Sequence, residues 1–462
     1  MSRGTIAYGP VVPVLAAPAG WARLGRLEAC PPVPLHPPPT IDLLAELGWR
    51  GMLASASEGL EERLARGPIG GYVGFDPTGP SLHVGHLVQV FLLTHLQRAG
   101  GRPVAVVGGG TGMIGDPSGT SAERNLLDEA TLAANTAAIR EQLGRFIEFG
   151  AGPGGGLMVD NRDWLGRFGL LDFLRDVGKH FPMGPMLAKD SVQQRLAGGM
   201  SYTEFSYMTL QATDFLVLHR DYGVDLQMGG SDQWGNITAG LDLIRRVEGR
   251  EEGAEPTCFA LCSPLLLNAA GEKMGKTARG AVFLDARLTS PYAFYQYCVT
   301  QDDATVGSLL RMLTLLSQEE VADLEAQQAA QPERRPAQRA FAHDLTARIH
   351  GPAEADLQAR VAEAAFSGEP IDDPAILAQL HAHAEGFGFG EAALRGDLLD
   401  LAVSSGLFAS RGEARRAVAQ GGLSINGTRV TALDAPLPAP LHGAWLVLRA
   451  GKRRLSVGRL ER

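Results

Sequence analysis

Between about residues 41 and 270, short apolar runs alternate with segments of helical periodicity, and this alternation constrains the fold more than any other feature. Parallel strands require crossover connections, which are usually helices, so the pattern predicts an α/β domain with a parallel sheet. A helix is predicted at Leu87–Ala99, where the Gly100-Gly101 pair would end it. Candidate strands are Gly71–Phe75, Pro103–Val107, Leu157–Asp160 and Val224–Met228.

The rest of the chain is organised differently. Residues 1–40 hold nine of the 28 prolines and have no periodicity, which predicts a disordered extension without the features of a signal peptide. The interval 286–367 is predicted to be helical, 368–390 to be a glycine-containing linker, and 391–462 to be a small separate domain. In that last domain we expect helices at Leu398–Ser404 and Arg411–Ala419 and short strands around Asn426-Gly427.

Charge is distributed unevenly along the chain, whose formal net charge is −9. Residues 401–462 carry ten Lys or Arg against three Asp or Glu, so this segment is basic while the preceding chain is acidic. A basic segment on an acidic body favours binding to a polyanion, most often a nucleic acid. A solvated charged surface would have the same composition, so charge alone leaves both interpretations open.

Composition excludes several classes of protein. Four cysteines in 462 residues exclude a disulfide scaffold. Cys258 and Cys262 have no further His or Cys clustered near them in the sequence, so we expect reduced core thiols and no protein-bound metal. A membrane-spanning helix needs roughly 18 apolar residues. No run in the sequence reaches that length, so no membrane span is expected.

The first candidate site is the segment from Tyr72 to His86, which crosses a predicted strand-to-helix junction. His83 and His86 lie three residues apart there, and Ser81 is placed to cap the helix. A helix start offers unpaired N–H groups and the positive end of the helix dipole, which suits a phosphate. Gly85 would let a ring or a phosphate approach the backbone closely. Nucleotide binding, a metal-binding histidine pair and plain surface histidines all stay open on this spacing alone.

The second candidate site is the sequence Lys273-Met-Gly275-Lys276-Thr277. Two lysines and a hydroxyl group on a flexible loop can close over a triphosphate and neutralise charge as pyrophosphate leaves. The segment is not a Walker A loop, because three residues separate Gly271 from Gly275 where four are required. A solvated turn is the alternative interpretation.

The third candidate site is a polar stripe on the helix predicted at Thr203–Leu218. Tyr207, Gln211 and Asp214 lie within an arc of about 60° at 100° per residue, on a helix that is otherwise largely apolar. Buried polar side chains must be hydrogen-bonded, so this stripe either meets partners in the core or lines a pocket. We favour the pocket.

One motif points to a function that its surroundings contradict. Gly110, Gly112 and Gly115 formally match a dinucleotide-binding fingerprint after a predicted strand. That fingerprint must open a helix, but the sequence DPSG, which is typical of a loop, follows Gly115 at once. We therefore do not interpret the chain as a dehydrogenase.

Taken together, the motifs resemble those of the bacterial-type tyrosyl-tRNA synthetases, which are class I aminoacyl-tRNA synthetases. His83–His86 (HVGH) is similar to the first signature of that family and Lys273–Thr277 (KMGKT) to the second. Tyr202–Phe215 (YTEFSYMTLQATDF) and Leu226–Ile237 (LQMGGSDQWGNI) resemble its tyrosine-specific segments. The similarity extends over roughly residues 45–460.

The resemblance implies a fold and a division into domains. We expect a Rossmann-like parallel-sheet catalytic domain over residues 41–285, followed by an α-helical tRNA-binding domain over 286–367. After the linker at 368–390, a small S4-like α+β RNA-binding domain is expected over 391–462.

The resemblance also implies a role for each matching position. Tyr72 and Asp214 would hold the phenol hydroxyl of L-tyrosine, and Gln233 would lie near its carboxylate. The ammonium group would be held by Asp116, Tyr207 and Gln211. The residues expected to bind ATP are Thr78, His83, Gly85, His86, Gly230, Asp232, Lys273 and Lys276. Those expected to act in catalysis are Thr78, His83, His86, Lys273, Lys276 and Thr277.

The implied activity is that of a tyrosine–tRNA ligase. L-Tyrosine and ATP, with Mg²⁺, would give tyrosyl-adenylate and pyrophosphate, and the tyrosyl group would then pass to the 3′ end of tRNA(Tyr). A cytoplasmic homodimer is implied by the family alone. Thr120 and Ser121 stand where relatives often carry lysine, and Arg124 is a candidate for a further phosphate or tRNA contact.

Two alternatives stay open at this point. A tryptophanyl-tRNA synthetase would have a similar fold, although Tyr72 and Asp214 suit a phenol better than an indole. A paralogue that only binds RNA through its basic carboxyl-terminal segment would be expected to have lost signature residues. Here both histidines of the first signature and both lysines of the second are present.

Overall fold

The structure is a computed structural model that describes residues 41–116, 128–152, 154–189, 192–193, 196, 199–277, 280–451 and 454–461. The predicted extension at 1–40, together with Thr120, Ser121 and Arg124, lies outside the described residues.

The described chain forms two compact units. The first comprises the residues up to Ala281 and the short segment Arg311–Leu313. The second comprises Val282–Leu310 and the chain from Thr314 onward. The finer domain boundaries at 285 and 367 stay predictions.

The first unit is built on a six-stranded sheet with strand order β1-β6-β5-β2-β3-β4. Neighbouring strands are parallel except for β1, which pairs with β6 antiparallel. The four strands predicted from apolar runs are confirmed, while β1 and β6 were not predicted. All residues of β3 are buried, as expected for a central parallel strand covered on both faces. The strands are β1 Ser55–Ala56, β2 Gly70–Phe75, β3 Arg102–Val107, β4 Leu157–Asp160, β5 Val224–Gly230 and β6 Phe259–Ser263, with a small hairpin of β7 Lys276–Thr277 and β8 Gly280–Ala281.

Helices connect these strands. The helix predicted at Thr203–Leu218 is confirmed as part of a longer helix, α8. Ser201 and Glu204 form a reciprocal capping box at its start, and Gly223 ends it with a φ of 66°. The helices of the first unit are α1 Leu43–Trp49, α2 Leu60–Ala65, α3 Leu87–Arg98, α4 Glu129–Leu143, α5 Arg162–Leu165, α6 Leu170–Asp176, α7 Met183–Leu187, α8 Tyr202–Tyr222 and α9 Trp234–Val247.

The strand order creates a switch point between β2 and β5. From β2 the chain continues outward through β3 and β4, whereas from β5 it continues in the other direction to β6. In open parallel sheets, ligands bind in the crevice that such a reversal leaves beyond the carboxyl ends of the strands. Asp76, directly after β2, and Ser231, directly after β5, begin the loops that border this crevice.

After residue 281 the chain is first helical, as predicted for the interval 286–367. None of the helices in the described part of the chain is long and apolar enough to cross a membrane. The helices are α10 Pro291–Val299, α11 Asp303–Leu313, α12 Gln318–Ala330, α13 Pro336–His350, α14 Pro352–Ser367, α15 Pro374–His383, α16 Glu391–Leu394, α17 Leu398–Ser404 and α18 Arg411–Ala419.

The second unit ends in a five-stranded sheet with strand order β11-β10-β12-β13-β9. The short strands predicted around Asn426-Gly427 are confirmed: these two residues have positive φ, 48° and 80°, and join two short antiparallel strands. The predicted helices α17 and α18 pack on this sheet through a shared apolar core. Its strands are β9 Glu385–Phe389, β10 Leu423–Ile425, β11 Thr428–Arg429, β12 Trp445–Ala450 and β13 Arg454–Leu460.

The prediction of a linker at 368–390 is wrong, because this interval contains α15 and β9. Gly386 is needed for close packing rather than for flexibility. A Cβ atom there would lie 2.0 Å from the backbone carbonyl oxygen of His381, whereas a Cβ atom on Gly388 would meet the end of the Glu461 side chain, which can move. Strand β9 pairs with β13 in parallel, so the interval is part of the carboxyl-terminal sheet.

Candidate active site

The turn after β2 is built around its two histidines. The backbone N–H of Gly85 donates to His83 Nδ1, and the backbone N–H of His83 donates to His86 Nδ1, each at 3.1 Å. His83, and not Ser81, therefore caps the 3-10 turn that leads into α3, and the two imidazole rings lie 3.9 Å apart. Because both Nδ1 atoms accept hydrogen bonds, the proton of each neutral imidazole is on Nε2.

The loop that carries the second signature packs against this turn. A Cβ atom on Gly85 would lie 2.8 Å from the Met274 carbonyl oxygen, and one on Gly275 would lie 2.7 Å from the Gly85 backbone nitrogen. Gly275 also has a φ of 103°, which residues with a side chain rarely adopt. The two signatures are thus in backbone contact, and glycine is required on both sides of that contact.

An exposed ion pair joins the same loop to the turn after β5. Lys273 Nζ donates to Asp232 Oδ2 at 2.9 Å, and the lysine side chain is 52% exposed. A Cβ atom on Gly230 would lie 2.8 Å from Asp232 Oδ1, so glycine leaves room for this carboxylate. Exposed pairs are screened by solvent and contribute little stability, so the lysine can exchange this partner for another anion.

Asp76 links the end of β2 to two other elements. The Tyr207 hydroxyl on α8 donates to Asp76 Oδ2 at 2.9 Å, and the Thr111 hydroxyl donates to Oδ1 at 2.8 Å. Burial, together with the Asp76 and Asp116 carboxylates, raises the pKa of Tyr207 well above its usual value, so the phenol stays protonated. Asp76 was not predicted as a site residue, although its place directly after a parallel strand was a usable signal.

Asp116 lies beyond β3, and Gln233 lies in the turn after β5. Gln233 Nε2 donates to Asp116 Oδ2 at 2.7 Å, and Asp116 is buried. Gln233 Oε1 in turn accepts from Asn236 Nδ2 at 3.3 Å. Two residues that the sequence placed more than a hundred positions apart are therefore adjacent in the crevice.

Asp214 is the most deeply embedded acid of the site, with 4% exposure. Asn161 Nδ2 donates to its Oδ2 at 2.9 Å, and Trp164 Nε1 donates to its Oδ1 at 2.8 Å. Burial raises the pKa of Asp214 to about 7, with a further rise from the Asp76 and Asp160 carboxylates, while the two hydrogen bonds oppose the shift. Asn161 and Trp164 were missed from the sequence, although Asn161 directly follows β4 and Trp164 lies in α5, the next element.

Tyr72 on β2 presents a buried hydroxyl group near Asp214. Its side chain is 2% exposed and its ring packs on Phe215, with 5.4 Å between the ring centroids. Among the described residues, the Tyr72 hydroxyl meets no hydrogen-bond partner. Burial and the Asp214 carboxylate raise the pKa of Tyr72 well above its usual value. A protonated hydroxyl in this position lacks a partner that a polar ligand would supply.

The remaining predicted residues are Thr78, Gln211, Lys276 and Thr277. Thr78 is exposed, and its N–H donates to the Asp76 carbonyl oxygen at 2.8 Å. Gln211 is half-buried on α8, between Tyr207 and Asp214. For Lys276 and Thr277 only the backbone is described, and it pairs with β8.

Comparison with known protein families gives two matches. The family model of class I tRNA synthetases (W and Y) matches residues 64–367. The model of the tyrosine–tRNA ligase SYY-like carboxyl-terminal domain matches residues 391–457.

Individual relatives agree with these matches. The chain is 48% identical to a tyrosine–tRNA ligase of Anaeromyxobacter dehalogenans over 426 residues, which is 90% of this chain and 99% of the relative. It is 46% identical to a tyrosine–tRNA ligase of Streptomyces coelicolor over 424 residues, 90% of this chain and 98% of the relative. Among solved structures, a C-terminally truncated mitochondrial tyrosyl-tRNA synthetase of Aspergillus nidulans superposes with a TM-score of 0.62 at 30% identity, covering 70% of this chain and 94% of that one.

Proposed function

Because the chain belongs to the tyrosine–tRNA ligases of the class I aminoacyl-tRNA synthetases, we propose that it activates L-tyrosine with ATP and then transfers the tyrosyl group to tRNA(Tyr). The first step would give tyrosyl-adenylate and pyrophosphate. The second would join the tyrosyl group to the 3′-terminal ribose of the tRNA.

The observation that carries this proposal is the Tyr72 hydroxyl, which has no hydrogen-bond partner among the described residues and lies near the buried Asp214 carboxylate. A substrate phenol between them would accept a hydrogen bond from Tyr72 and donate one to Asp214. Asn161 and Trp164 already hold the two carboxylate oxygens in place, so little reorganisation is needed on binding. An indole has no group that can satisfy both partners.

The ammonium group of tyrosine would lie at the other end of the same pocket. We assign it to Asp116, Tyr207 and Gln211, as the family resemblance implies. The Tyr207 hydroxyl donates its proton to Asp76, which leaves its oxygen able to accept from the ammonium group. Gln233, held on Asp116, would then lie next to the substrate carboxylate.

ATP would bind at the contact between the two signatures. Both histidines carry their proton on Nε2 in the neutral form, so each can donate to a phosphate or ribose oxygen. Thr78, Gly85 and Gly230 would line the same side. Lys273 would leave Asp232 and move to the phosphates when ATP binds, which frees Asp232 for the ribose. Lys276 and Thr277 are assigned to the same loop on the resemblance alone.

The chemistry requires no nucleophile from the protein. The tyrosine carboxylate would attack the α-phosphorus of Mg²⁺-bound ATP in line, and pyrophosphate would leave. Positioning of the two substrates and stabilisation of the developing charge by His83, His86 and the loop lysines would supply the rate enhancement. A hydroxyl group of the 3′-terminal ribose of the tRNA would then attack the mixed anhydride and release AMP.

The remaining assignments rest on the same family. The helical interval and the basic carboxyl-terminal sheet would bind tRNA, and the site of action would be the cytoplasm, where charged tRNA is used. A homodimer is supported by large apolar side chains exposed on α6, α7 and the start of α8. They are Leu170, Leu171, Leu174, Met183 and Tyr202.

The test is ATP–pyrophosphate exchange measured with each of the twenty amino acids. We expect exchange with L-tyrosine and none of comparable rate with the others. Preferred exchange with tryptophan would indicate a tryptophanyl-tRNA synthetase, the alternative with a similar fold. Exchange with no amino acid, together with retained tRNA binding, would indicate an RNA-binding protein without catalytic activity.

A further inference from the structure

A second cluster of reactive side chains lies at the opposite end of the strands from the candidate active site. His219 is near the end of α8, Asp225 is at the amino end of β5, and Cys258 directly precedes β6. One potential ligand atom from each of the three lies within 4.8 Å of the other two. Cys258 is buried, while His219 and Asp225 keep 19% and 24% of their side chains exposed.

Each polar group of this cluster is held by a further partner. His219 Nδ1 is 3.0 Å from Asp225 Oδ1, and His219 Nε2 is 3.1 Å from Glu248 Oε1. Arg63 Nη2 donates to the other Asp225 oxygen at 3.3 Å. The Thr257 hydroxyl donates to the other Glu248 oxygen at 3.1 Å. His219 Nδ1 and Asp225 Oδ1 therefore face each other, while His219 Nε2 is held by Glu248 and Asp225 Oδ2 by Arg63.

We propose that His219 Nδ1, Asp225 Oδ1 and Cys258 Sγ bind a divalent ion of the zinc class, with Glu248 orienting the histidine. Imidazole, thiolate and carboxylate are the ligands that Zn²⁺ takes in proteins, and a thiolate disfavours Mg²⁺ and Ca²⁺. A metal-binding histidine commonly donates its other ring N–H to a carboxylate, as His219 is placed to do with Glu248. Zinc–ligand bonds of about 2.0–2.3 Å place neighbouring ligand atoms about 3–4 Å apart, so the cluster needs only a small contraction.

The site is accessible from solvent. Cys258 and Thr257 line a cavity of about 570 Å³, and Arg63 and Arg250 form part of its wall. This cavity lies beside Cys258, and His219 and Asp225 are partly exposed, so an ion can reach the site and a water molecule has room as the fourth ligand. Three protein ligands and one water form the tetrahedral set that Zn²⁺ adopts at open sites.

The ion would serve as a structural clamp. It would join the last turns of α8, the helix that carries Tyr207, Gln211 and Asp214, to the first residues of β5 and the approach to β6. The proposal replaces the expectation, drawn from cysteine spacing, that no metal is bound. That expectation considered only neighbours in the sequence, whereas the partners of Cys258 come from α8 and β5.

The alternative is a charge cluster without metal, in which a protonated His219 bridges Asp225 and Glu248. To separate the two, the full-length protein is stripped with a chelator, dialysed into buffer with excess Mg²⁺, and titrated with Zn²⁺ and with Co²⁺. We expect one tightly held equivalent per chain, a thiolate-to-cobalt charge-transfer band, and a higher Tm with zinc bound. A wild-type protein that takes up no ion above the level of non-specific binding would overturn the proposal.

Single substitutions test the assignment of the ligands. Cys258→Ser should lose the charge-transfer band and the tight equivalent, whereas Cys262→Ser, which removes another buried free thiol, should keep both. Glu248→Gln should keep the stoichiometry but weaken binding by about 10- to 100-fold. If Cys258→Ser fails to fold, Asp225→Asn provides the same test. Wild-type binding in a folded Cys258→Ser or Asp225→Asn variant would show that the ion is held elsewhere and overturn the site.

Discussion

The tyrosine end and the ATP end of the proposed site hold their polar groups in different ways. At the tyrosine end, Asp214 is fixed by Asn161 and Trp164, side chains from another segment of the chain. At the ATP end, His83 and His86 are fixed by backbone atoms of their own turn. Lys273 is held there by one exposed ion pair. The tyrosine end is thus a buried network between distant segments of the chain. The ATP end is a local turn beside a lysine whose ion-pair partner can be exchanged.

This difference suggests that the tyrosine end determines substrate selectivity and that the ATP end determines the rate of the chemical step. A buried network that is already formed can discriminate between side chains, because a ligand that leaves its groups unpaired incurs the full desolvation cost. A loop lysine that changes partner can follow charge as it moves onto the leaving group. Substitutions at the tyrosine end should therefore change substrate affinity and selectivity, whereas substitutions at the ATP end should change the rate.

The largest effect is expected at the loop. Lys273→Ala should lower the rate of adenylate formation by about 100- to 1,000-fold, because it removes a positive charge that acts on the transition state. The dissociation constant of tyrosine should change little. Single-turnover kinetics and equilibrium binding measure the two quantities separately, and Lys273→Arg should recover part of the rate. A variant that loses tyrosine affinity while keeping its rate would contradict the division between the two ends.

The next effect in size is expected from Asp214→Ala. The change removes a charged acceptor and leaves the Asn161 and Trp164 donors without their partner. We expect kcat/KM for tyrosine in pyrophosphate exchange to fall about 100-fold, with the KM for ATP nearly unchanged. Thermal unfolding of the variant checks that the fold is retained. Tyrosine activation at the wild-type level would remove Asp214 from the tyrosine pocket.

The pKa of Asp214 provides a further test of the tyrosine end, through the pH dependence of tyrosine affinity. Since burial raises it to about 7, the carboxylate that accepts from the substrate phenol forms only as the pH rises through that value. Tyrosine affinity should therefore increase from pH 6 to pH 8. Trp164→Phe removes a donor that lowers this pKa, so the midpoint should move to higher pH and affinity at pH 7 should fall about fivefold. A pH profile that is the same in the variant and the wild type would be inconsistent with this role.

Outside the site, the basic carboxyl-terminal domain offers a test of the second reaction step. Arg415 and Arg416 are exposed on α18. Replacing both by Gln should weaken tRNA charging and reduce the slope of log affinity against log salt by about 1 to 2, while tyrosine activation stays the same. Substitution is a cleaner test than cutting the chain near Gly390, because β9 would lose its partner β13. An unchanged salt slope would exclude these arginines as phosphate contacts.

The parts of the molecule that could be predicted from the sequence are those set by local pattern. Apolar runs predicted β2, β3, β4 and β5 because strands of a parallel sheet that is covered on both faces are largely apolar. The stripe of Tyr207, Gln211 and Asp214 was predictable because helical periodicity fixes which residues share a face. Both signatures could be identified because each is a short contiguous segment.

What could not be predicted depends on packing between distant segments. The hydrogen bonds from Asn161 and Trp164 to Asp214 arise only when β4 and α8 are brought together. The glycines of β9 suggested a flexible linker, since the sequence does not show that His381 and Glu461 lie against them. In the same way, the sequence around Cys258 gives no sign of His219 and Asp225.

The last test, Tyr72→Phe, concerns how the tyrosine end recognises the phenol hydroxyl of the substrate. Phenylalanine differs from tyrosine only by the phenol hydroxyl, so any discrimination between them must come from groups that pair with that hydroxyl. Tyr72→Phe removes one neutral donor from a buried position and leaves the ring and its packing on Phe215 in place. We therefore expect the ratio of kcat/KM for tyrosine over phenylalanine to fall by about fivefold, which corresponds to about 1 kcal/mol for one neutral hydrogen bond. The maximal rate with tyrosine should change less than the ratio, because Tyr72 contacts the end of the substrate farthest from the reacting carboxylate.

The same substitution removes a hydroxyl that has no partner among the described residues. The free energy of unfolding of the ligand-free protein should therefore stay unchanged or rise slightly, which urea unfolding can measure. A variant that keeps the wild-type ratio would show that Tyr72 does not recognise the hydroxyl, and selectivity would then rest on Asp214 alone.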